Sequence, residues 1–442
     1  MRTRIFLAWL GTTAALAQPI TVSSLGELES AARGDGQEIV MRPGRYRLAD
    51  WLTPERCRDK RRRGDFPLLV LRGSGNRIGL EGVEWEFDAA LLRELRPPVH
   101  ARHLVLAGHS NLVHGLTVRG VGEDSAPSAA LLLISGRGNT VSNLTLHVRG
   151  SFPYGYGDLF GKGGDAVIAH RKQSGLLVTG HGTRMLGCVI HQRAFGHAFF
   201  VQEDAADVLF MDCRAEGETR LTEEMLQETE GPAFAAGFRT QVTMRGGEAR
   251  VLPGYRKSLA EDGFRTYGRH PGLTFIRCEA RHMRGGFELR SPTAARLEDC
   301  RAFGNERGFW LGSDAVATGC VGDAEAGPVL IAEGSRIRAE IEVRPTPPAG
   351  QVHALALVQG ADNRVVLRGG SGRNGPPVLI GYGPPAMGEG MAPIPEADAR
   401  RADVRNLTLH PVRVGTRAHF THLLTLGRPE EILGRETRVA SP

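Results

Sequence analysis

The sequence predicts an all-β chain folded as one solenoid of stacked coils, and three observations carry that expectation. The first is a phrase that keeps returning with a cysteine in it: Met-Leu-Gly-Cys188, Phe-Met-Asp-Cys213, Phe-Ile-Arg-Cys278, Leu-Glu-Asp-Cys300 and Ala-Thr-Gly-Cys320. Each belongs to an apolar-alternating run that reads as a β-strand. The second is spacing: Cys188 to Cys213 is 25 residues, Cys278 to Cys300 is 22 and Cys300 to Cys320 is 20, the length of one solenoid coil. The third is composition. Gly 58 and Pro 25 in 442 residues, with no collagen-like period, fit a chain that turns many times between short strands. Stacked repeats bury a continuous core, so one elongated domain accommodates this length.

In chain order, the first element is Arg2 and Arg4, an apolar run from Ile5 to Ala17 and a small-residue site at Ala15-Leu16-Ala17. That pattern predicts a secretory signal over 1–17 and a mature domain, 18–442, that is secreted or periplasmic. The run is too short to span a bilayer, and no later segment is apolar enough, so no membrane insertion is expected. Ser23 to Leu28 followed by Ala31-Ala32 reads as a short helix with Ser24 as N-cap. Next comes a strand from Glu38, ended by the Pro43-Gly44 turn before Tyr46. A helix at this point covers the first open edge of a parallel stack.

The coils read as pairs of strands. One strand carries the cysteine phrase, and Leu116, Leu144 and Leu407 stand at its cysteine position in other copies. A position shared by Cys and Leu faces inward, which predicts a buried thiol ladder. Coils about 4.8 Å apart would also permit one adjacent pair to be oxidised. No Cys-x-x-Cys occurs, which argues against metal or redox chemistry, and Cys57 lies outside the ladder. The second strand follows a glycine turn, as in Gly196 to Phe200, Asp262 to Tyr267, Gly285 to Arg290 and Arg307 to Leu311. With Phe264, Phe287 and Phe309 inward, alternation sends Arg265, Tyr267, Glu288, Arg290 and Trp310 outward as one column.

Two insertions interrupt the coils. The larger, 216–262, accounts for the 65 residues between Cys213 and Cys278 and contains a short helix near Thr222 to Glu228, then Tyr255-Arg256-Lys257. The smaller, 151–164, carries Tyr154 and Tyr156 among glycines. Long loops that leave a rigid scaffold are where binding residues concentrate. Tyrosines in such loops offer flat amphipathic faces for sugar rings. The stretch 384–395 reads as a further loop, and the chain from Arg401 as a final coil and cover.

The capping helix, the strand, Pro-Gly-x-Tyr46 and coils of twenty-odd residues with Asn-rich turns resemble right-handed parallel β-helices of the pectate-lyase-like superfamily. The resemblance spans nearly the whole mature chain and implies a carbohydrate-active protein. The aspartate motifs of the β-helical polygalacturonases and the arginine-proline strand of pectate lyases are absent from this sequence. In β-helical lyases, the resemblance implies Lys or Arg as base with Tyr or His nearby, and sometimes Ca²⁺ on the substrate carboxylate.

Breaking a uronic-acid polymer by β-elimination needs a base for the proton beside the carboxylate, a cation to neutralise that carboxylate and an acid for the leaving oxygen. The candidates are Lys257 as base, Arg265, Arg256 or Arg290 as clamps, and Tyr255, Tyr267 or His197 as proton donor. Glu288, Trp310, Tyr154 and Tyr156 complete a substrate-binding set. Hydrolysis would instead use two carboxylates from Glu203, Glu216, Glu218, Glu261, Asp262 and Glu288. Glu216, Glu218, Glu223 and Glu224 are close enough to supply oxygens to Ca²⁺, and they equally read as an acidic helix N-terminus. No histidine spacing fits zinc, so no other metal or cofactor is expected.

The formal charge of +6 falls to +4 without Arg2 and Arg4 (53 basic against 49 acidic residues) and suits an acidic polysaccharide as substrate. Basic residues are spread evenly, which argues against nucleic acid, and the one dense run, Arg61-Arg62-Arg63, reads as a surface loop. A lyase, a hydrolase, an epimerase and a non-catalytic glycan-binding protein all remain compatible with this pattern. The oligomeric state is not encoded in it.

Overall fold

The residue before each ladder cysteine sets the architecture. Gly187, Asp212, Arg277, Asp299 and Gly319 all hold φ between 51° and 63°, and Asn143 before Leu144 holds 51°. A left-handed residue turns the chain through a corner, and Gly, Asp and Asn tolerate it best. The cysteine phrase is therefore a bend, and in the middle coils it joins two strands, so those coils hold three where the sequence suggested a pair. In one such coil these are Arg184–Leu186, Val189–Gln192 and Phe199–Val201. In other coils, as in Arg77–Asp88, Leu112–Val121 and Val316–Gly322, the same stretch runs as one strand.

Each strand pairs in parallel with its counterpart one coil on. Arg184, Leu209, Thr274 and Arg296 align in the first column. Val189, Arg214, Glu279 and Arg301 align in the second, and Phe199, Phe264, Phe287 and Phe309 in the third. The result is a right-handed parallel β-helix, the hand that parallel strand connections take. The computed structural model describes residues 18–96, 101–122, 129–160, 168, 170–235, 237, 240–242, 248–250, 253–291, 293–370, 373–384 and 394–441. The signal-like run 1–17, part of the 151–164 insertion and most of the 384–395 loop lie outside the described residues. Among those described, no helix is long and apolar enough to cross a membrane.

The core is a set of ladders. Phe199, Phe264, Phe287 and Phe309 stack with centroids 4.8–5.2 Å apart and rings within 14° of parallel. Phe210 stacks on Phe275 at 5.2 Å and meets Phe264 edge-on. All six cysteines are free and buried, so the ladder is present as thiols and no pair is bridged. Cys188 Sγ lies 3.5 Å from the Val141 carbonyl of the preceding coil, and Cys213 Sγ lies 3.4 Å from that of Met185. At the turns, Asn76, Asn111 and Asn139 form a second ladder: the Asn76 amide donates to Asn111 Oδ1 and the Asn111 amide to Asn139 Oδ1, both at 2.8 Å.

The N-terminal cap holds the expected helix, Leu25–Ala31, whose Glu27 amide donates to Ser24 Oγ. It also holds one the sequence reading placed in a loop, Pro54–Arg63. The signals were there: Thr53 caps it, Pro54 takes the first turn and Gly64 ends it at φ 70°. Cys57 is buried on its inner face.

Candidate functional site

The site lies on the outer face of the third column, where both insertions close over it. The larger insertion leaves after Arg214–Glu216, builds an antiparallel pair from Thr219–Leu221 and Arg256–Ser258, and returns at Asp262–Thr266. Its Met225, Ala233 and Leu259 pack with Tyr156, Leu159 and Phe160 of the smaller insertion in a core of their own. The two loops thus brace each other rather than stand apart as cleft walls. Tyr156 is 7% exposed and its hydroxyl donates to Glu228 Oε2 at 2.8 Å, while the Tyr154 hydroxyl donates to Glu218 Oε2 at 2.6 Å.

Beneath the insertions runs a buried ion network. Arg284 grips Asp262 with Nη2 at 3.0 and 3.1 Å from the two carboxylate oxygens, and its Nη1 lies 3.5 Å from Glu261 and 3.6 Å from Asp158. Lys257 Nζ sits 2.9 Å from Asp158 and 2.6 Å from Glu306. Burial alone would lower the Lys257 ammonium, but those two carboxylates outweigh it and hold it well above the ordinary lysine range. Glu288 is met by Arg265 at 2.5 Å, Arg307 at 3.2 Å and Arg290 at 3.3 Å. Burial resists its ionisation, yet Arg307 and Arg265 prevail and hold it at about 2.

One arm of this network reaches solvent. Tyr267, 38% exposed, donates its hydroxyl to His197 Nε2 at 2.8 Å, and His197 Nδ1 lies 3.1 Å from Asp262 Oδ2. Nε2 also lies 3.5 Å from Glu261 Oε2 and Nδ1 3.4 Å from the Asp262 amide nitrogen; the Asp262 carboxylate oxygen is nearer than either, which assigns the proton to Nδ1 and leaves Nε2 as acceptor. The Arg265 guanidinium lies 4.4 Å from the Tyr267 ring centroid. Burial pushes the Tyr267 phenol up to about 12, Arg265 pulls the other way, and Glu261 and Asp262 add to the rise.

The Tyr267 hydroxyl faces a pocket of about 150 Å³ lined also by His197, Ser174, Gln202, Arg102, Lys172 and Glu261. Lys172 Nζ is 3.0 Å from both Glu261 oxygens. Two cations therefore stand at a pocket that contains a tyrosine–histidine–aspartate chain.

Of the residues the sequence singled out, the fold brings together His197, Arg265, Tyr267, Glu288 and Arg290. Lys257 joins the same network at its far end as a paired ammonium, an environment opposed to a neutral base. Tyr255 turns away, donating to Gln351 Oε1 at 2.9 Å, and Arg256 donates to Thr219 Oγ1 at 2.9 Å. Glu288 is 1% exposed and Trp310 5%, the latter under the Arg290 and Arg307 guanidinium groups and packed with Ile331 and Leu357. Neither presents a surface to substrate. Among the described residues no three acidic, histidine or cysteine side chains converge as a metal site, and Glu216, Glu218 and Glu224 pair separately with Arg214, Arg193 and Arg220.

Arg102, Lys172, Arg284 and Arg307 were missed as site residues. Arg307 had a signal, because it occupies the column position of Asp262 and Gly285. Arg102 and Lys172 come from earlier coils, and only the stacking shows that they meet Tyr267.

No protein-family profile and no curated protein sequence matches the chain. Solved structures do match in chain course. A PL6 alginate lyase bound to a trisaccharide shares 10% identity over 96% of this chain and 84% of its own, with a TM-score of 0.48. The endo-xylogalacturonan hydrolase of Aspergillus tubingensis shares 11% over 94% and 87%, at 0.35. The catalytic domain of a GH87 α-1,3-glucanase with nigerose shares 10% over 98% and 67%, at 0.41.

Proposed function

We propose that the protein is an exported carbohydrate-active enzyme that cleaves an acidic polysaccharide by β-elimination in the Tyr267 pocket. The observation that carries this reading is the chain Tyr267 hydroxyl, His197 Nε2, His197 Nδ1, Asp262 carboxylate, opening on a pocket that also holds Arg102 and Lys172.

Arg102, with the Lys172–Glu261 pair beside it, meets the uronate carboxylate, which acidifies the carbon-bound proton next to it. A phenol held near 12 is protonated at neutral pH, so it acts as a base only as it gives its own proton to His197 Nε2 in the same step. The Asp262 carboxylate stabilises the imidazolium so formed. Electrons from the broken C–H bond form the C=C bond and expel the glycosidic oxygen. That oxygen takes a proton from Tyr267, and His197 returns one to the phenolate. Of the carboxylates named for hydrolysis, Glu261, Asp262 and Glu288 at this pocket and network are buried in ion pairs, which favours elimination here.

The test is Tyr267→Phe, which removes the transferable proton and keeps the ring under Arg265. Its kcat is expected to fall by roughly 10²–10⁴ with thermal unfolding unchanged. Full activity in this variant would end the reading.

A further inference from the structure

A second basic groove lies on a different face, the outer side of the second strand column. Arg119, His147 and His191 occupy one position on successive coils there, and the two imidazoles stack at 4.9 Å and 12°. They line a depression of about 290 Å³ together with Arg149 and Arg193. Arg149, Arg193 and Gly122 also line the adjoining depression of about 440 Å³, floored by Phe152, Pro153 and Tyr154. Each is within reach of the size of ordinary ligand pockets, and together they form one trough across the coils.

The trough is cationic, and its charge is unevenly spent. Arg119 is paired with Glu84 at 2.8 Å, and Arg193 with Glu218 at 2.6 Å. Glu218, the one carboxylate among the described residues of the lining, is occupied by Arg193 and by the Tyr154 hydroxyl. Arg149, exposed at the junction, acts on the Glu218 carboxylate only from a distance, behind the nearer Arg193. Gly120 lets the strand pack against the Arg149 and His147 backbone of the next coil, and Gly122 and Gly150 turn the chain at φ 89° and 104°. The residues that open the 151–164 insertion, Ser151 to Tyr154, line this trough, whereas Lys172, beyond that insertion, lines the Tyr267 pocket.

We infer that this trough is an accessory binding site for a chain segment of the acidic polysaccharide, distinct from the Tyr267 pocket. Arg149 takes a carboxylate and the Tyr154 ring lies against a sugar face. The inference rests on the acidic-glycan reading of the enzyme. Its use is to hold long chains on the enzyme by a second contact, which raises apparent affinity without changing the pocket.

The test uses gel retardation in polygalacturonate and in alginate, run with the full chain carrying Tyr267→Phe so that nothing is digested. Adding Arg149→Glu is expected to weaken retardation at least fivefold, with thermal unfolding unchanged. In the enzyme with Tyr267 intact, Arg149→Glu should lower the ratio of kcat/KM on long chains to that on tetrasaccharides by a similar factor. Retardation and ratio both unaffected by Arg149→Glu, in a protein that does bind and cleave, overturn the trough and leave the pocket standing. Neither retardation nor cleavage by the parent protein overturns the acidic-glycan reading, and the trough with it.

Discussion

At the scale of single residues, the network separates groups that hold charge from the group that moves a proton. Lys257 is 16% exposed and fixed between two carboxylates, so removing it takes the nearest cation from both, leaving Asp158 to Arg284 at 3.6 Å and Glu306 to the Ser258 amide. Breaking such a pair by removing one partner costs about 3–5 kcal/mol. Lys257→Met is expected to lower the urea midpoint accordingly while the folded protein keeps its kcat within a few-fold. Loss of kcat without loss of stability would return the base to Lys257. His103 makes a pH prediction. It is fully buried, and desolvation, partly opposed by a contact with Ala130, lowers its pKa from 6.5 to about 4. A histidine depressed by folding contributes stability that is complete above 6.5 and is lost as the pH falls toward 4. A shift of this size corresponds to roughly 3 kcal/mol. Denaturation between pH 7 and 4.5 should show that slope, and His103→Gln should flatten it; the same slope in the variant would contradict it.

At the scale of elements, much was legible because the coil repeats. The cysteine phrase gave the period, the inward thiols and the Phe column, and two-residue alternation placed Arg265, Tyr267 and Arg290 on the outer face. The phrase was misread as one strand in the coils of Cys188, Cys213, Cys278 and Cys300, because apolar alternation looks continuous across a left-handed residue. At Cys320 one strand, Val316–Gly322, does run through it. The alternation of Gly and Asp just before the cysteine was the overlooked sign of a corner. The site was less legible, since Lys172 and Arg102 reach Tyr267 only through stacking, and the tip of the large insertion looked catalytic by composition while its Tyr255 and Arg256 point elsewhere. The Phe stack is the element most open to test. Phe287 lies between Phe264 and Phe309, so Phe287→Ala should cost about 3–5 kcal/mol by chemical denaturation. A loss under 1 kcal/mol would mean the stack is ornamental. The thiol ladder predicts no reaction with a chromogenic disulfide in the native protein and six thiols per chain on unfolding, because burial pushes Cys188 and Cys213 well up and closes access. Reaction in the folded state would contradict the buried ladder.

At the scale of the whole molecule, the β-helix is a post whose third column carries the Tyr267–His197–Asp262 chain and whose second carries a basic trough. Two insertions lock together over the network between them. In the function proposed here the trough grips a long acidic chain and the pocket opens it, and the central claim is elimination at Tyr267. The most direct measurement follows ultraviolet absorbance of unsaturated uronates and reducing ends in parallel, on a panel of acidic and neutral polysaccharides, for the mature protein and Tyr267→Phe. Elimination at Tyr267 predicts that both signals rise together on an acidic polymer and that the variant gives neither. Reducing ends without absorbance, or an unimpaired variant, would contradict it.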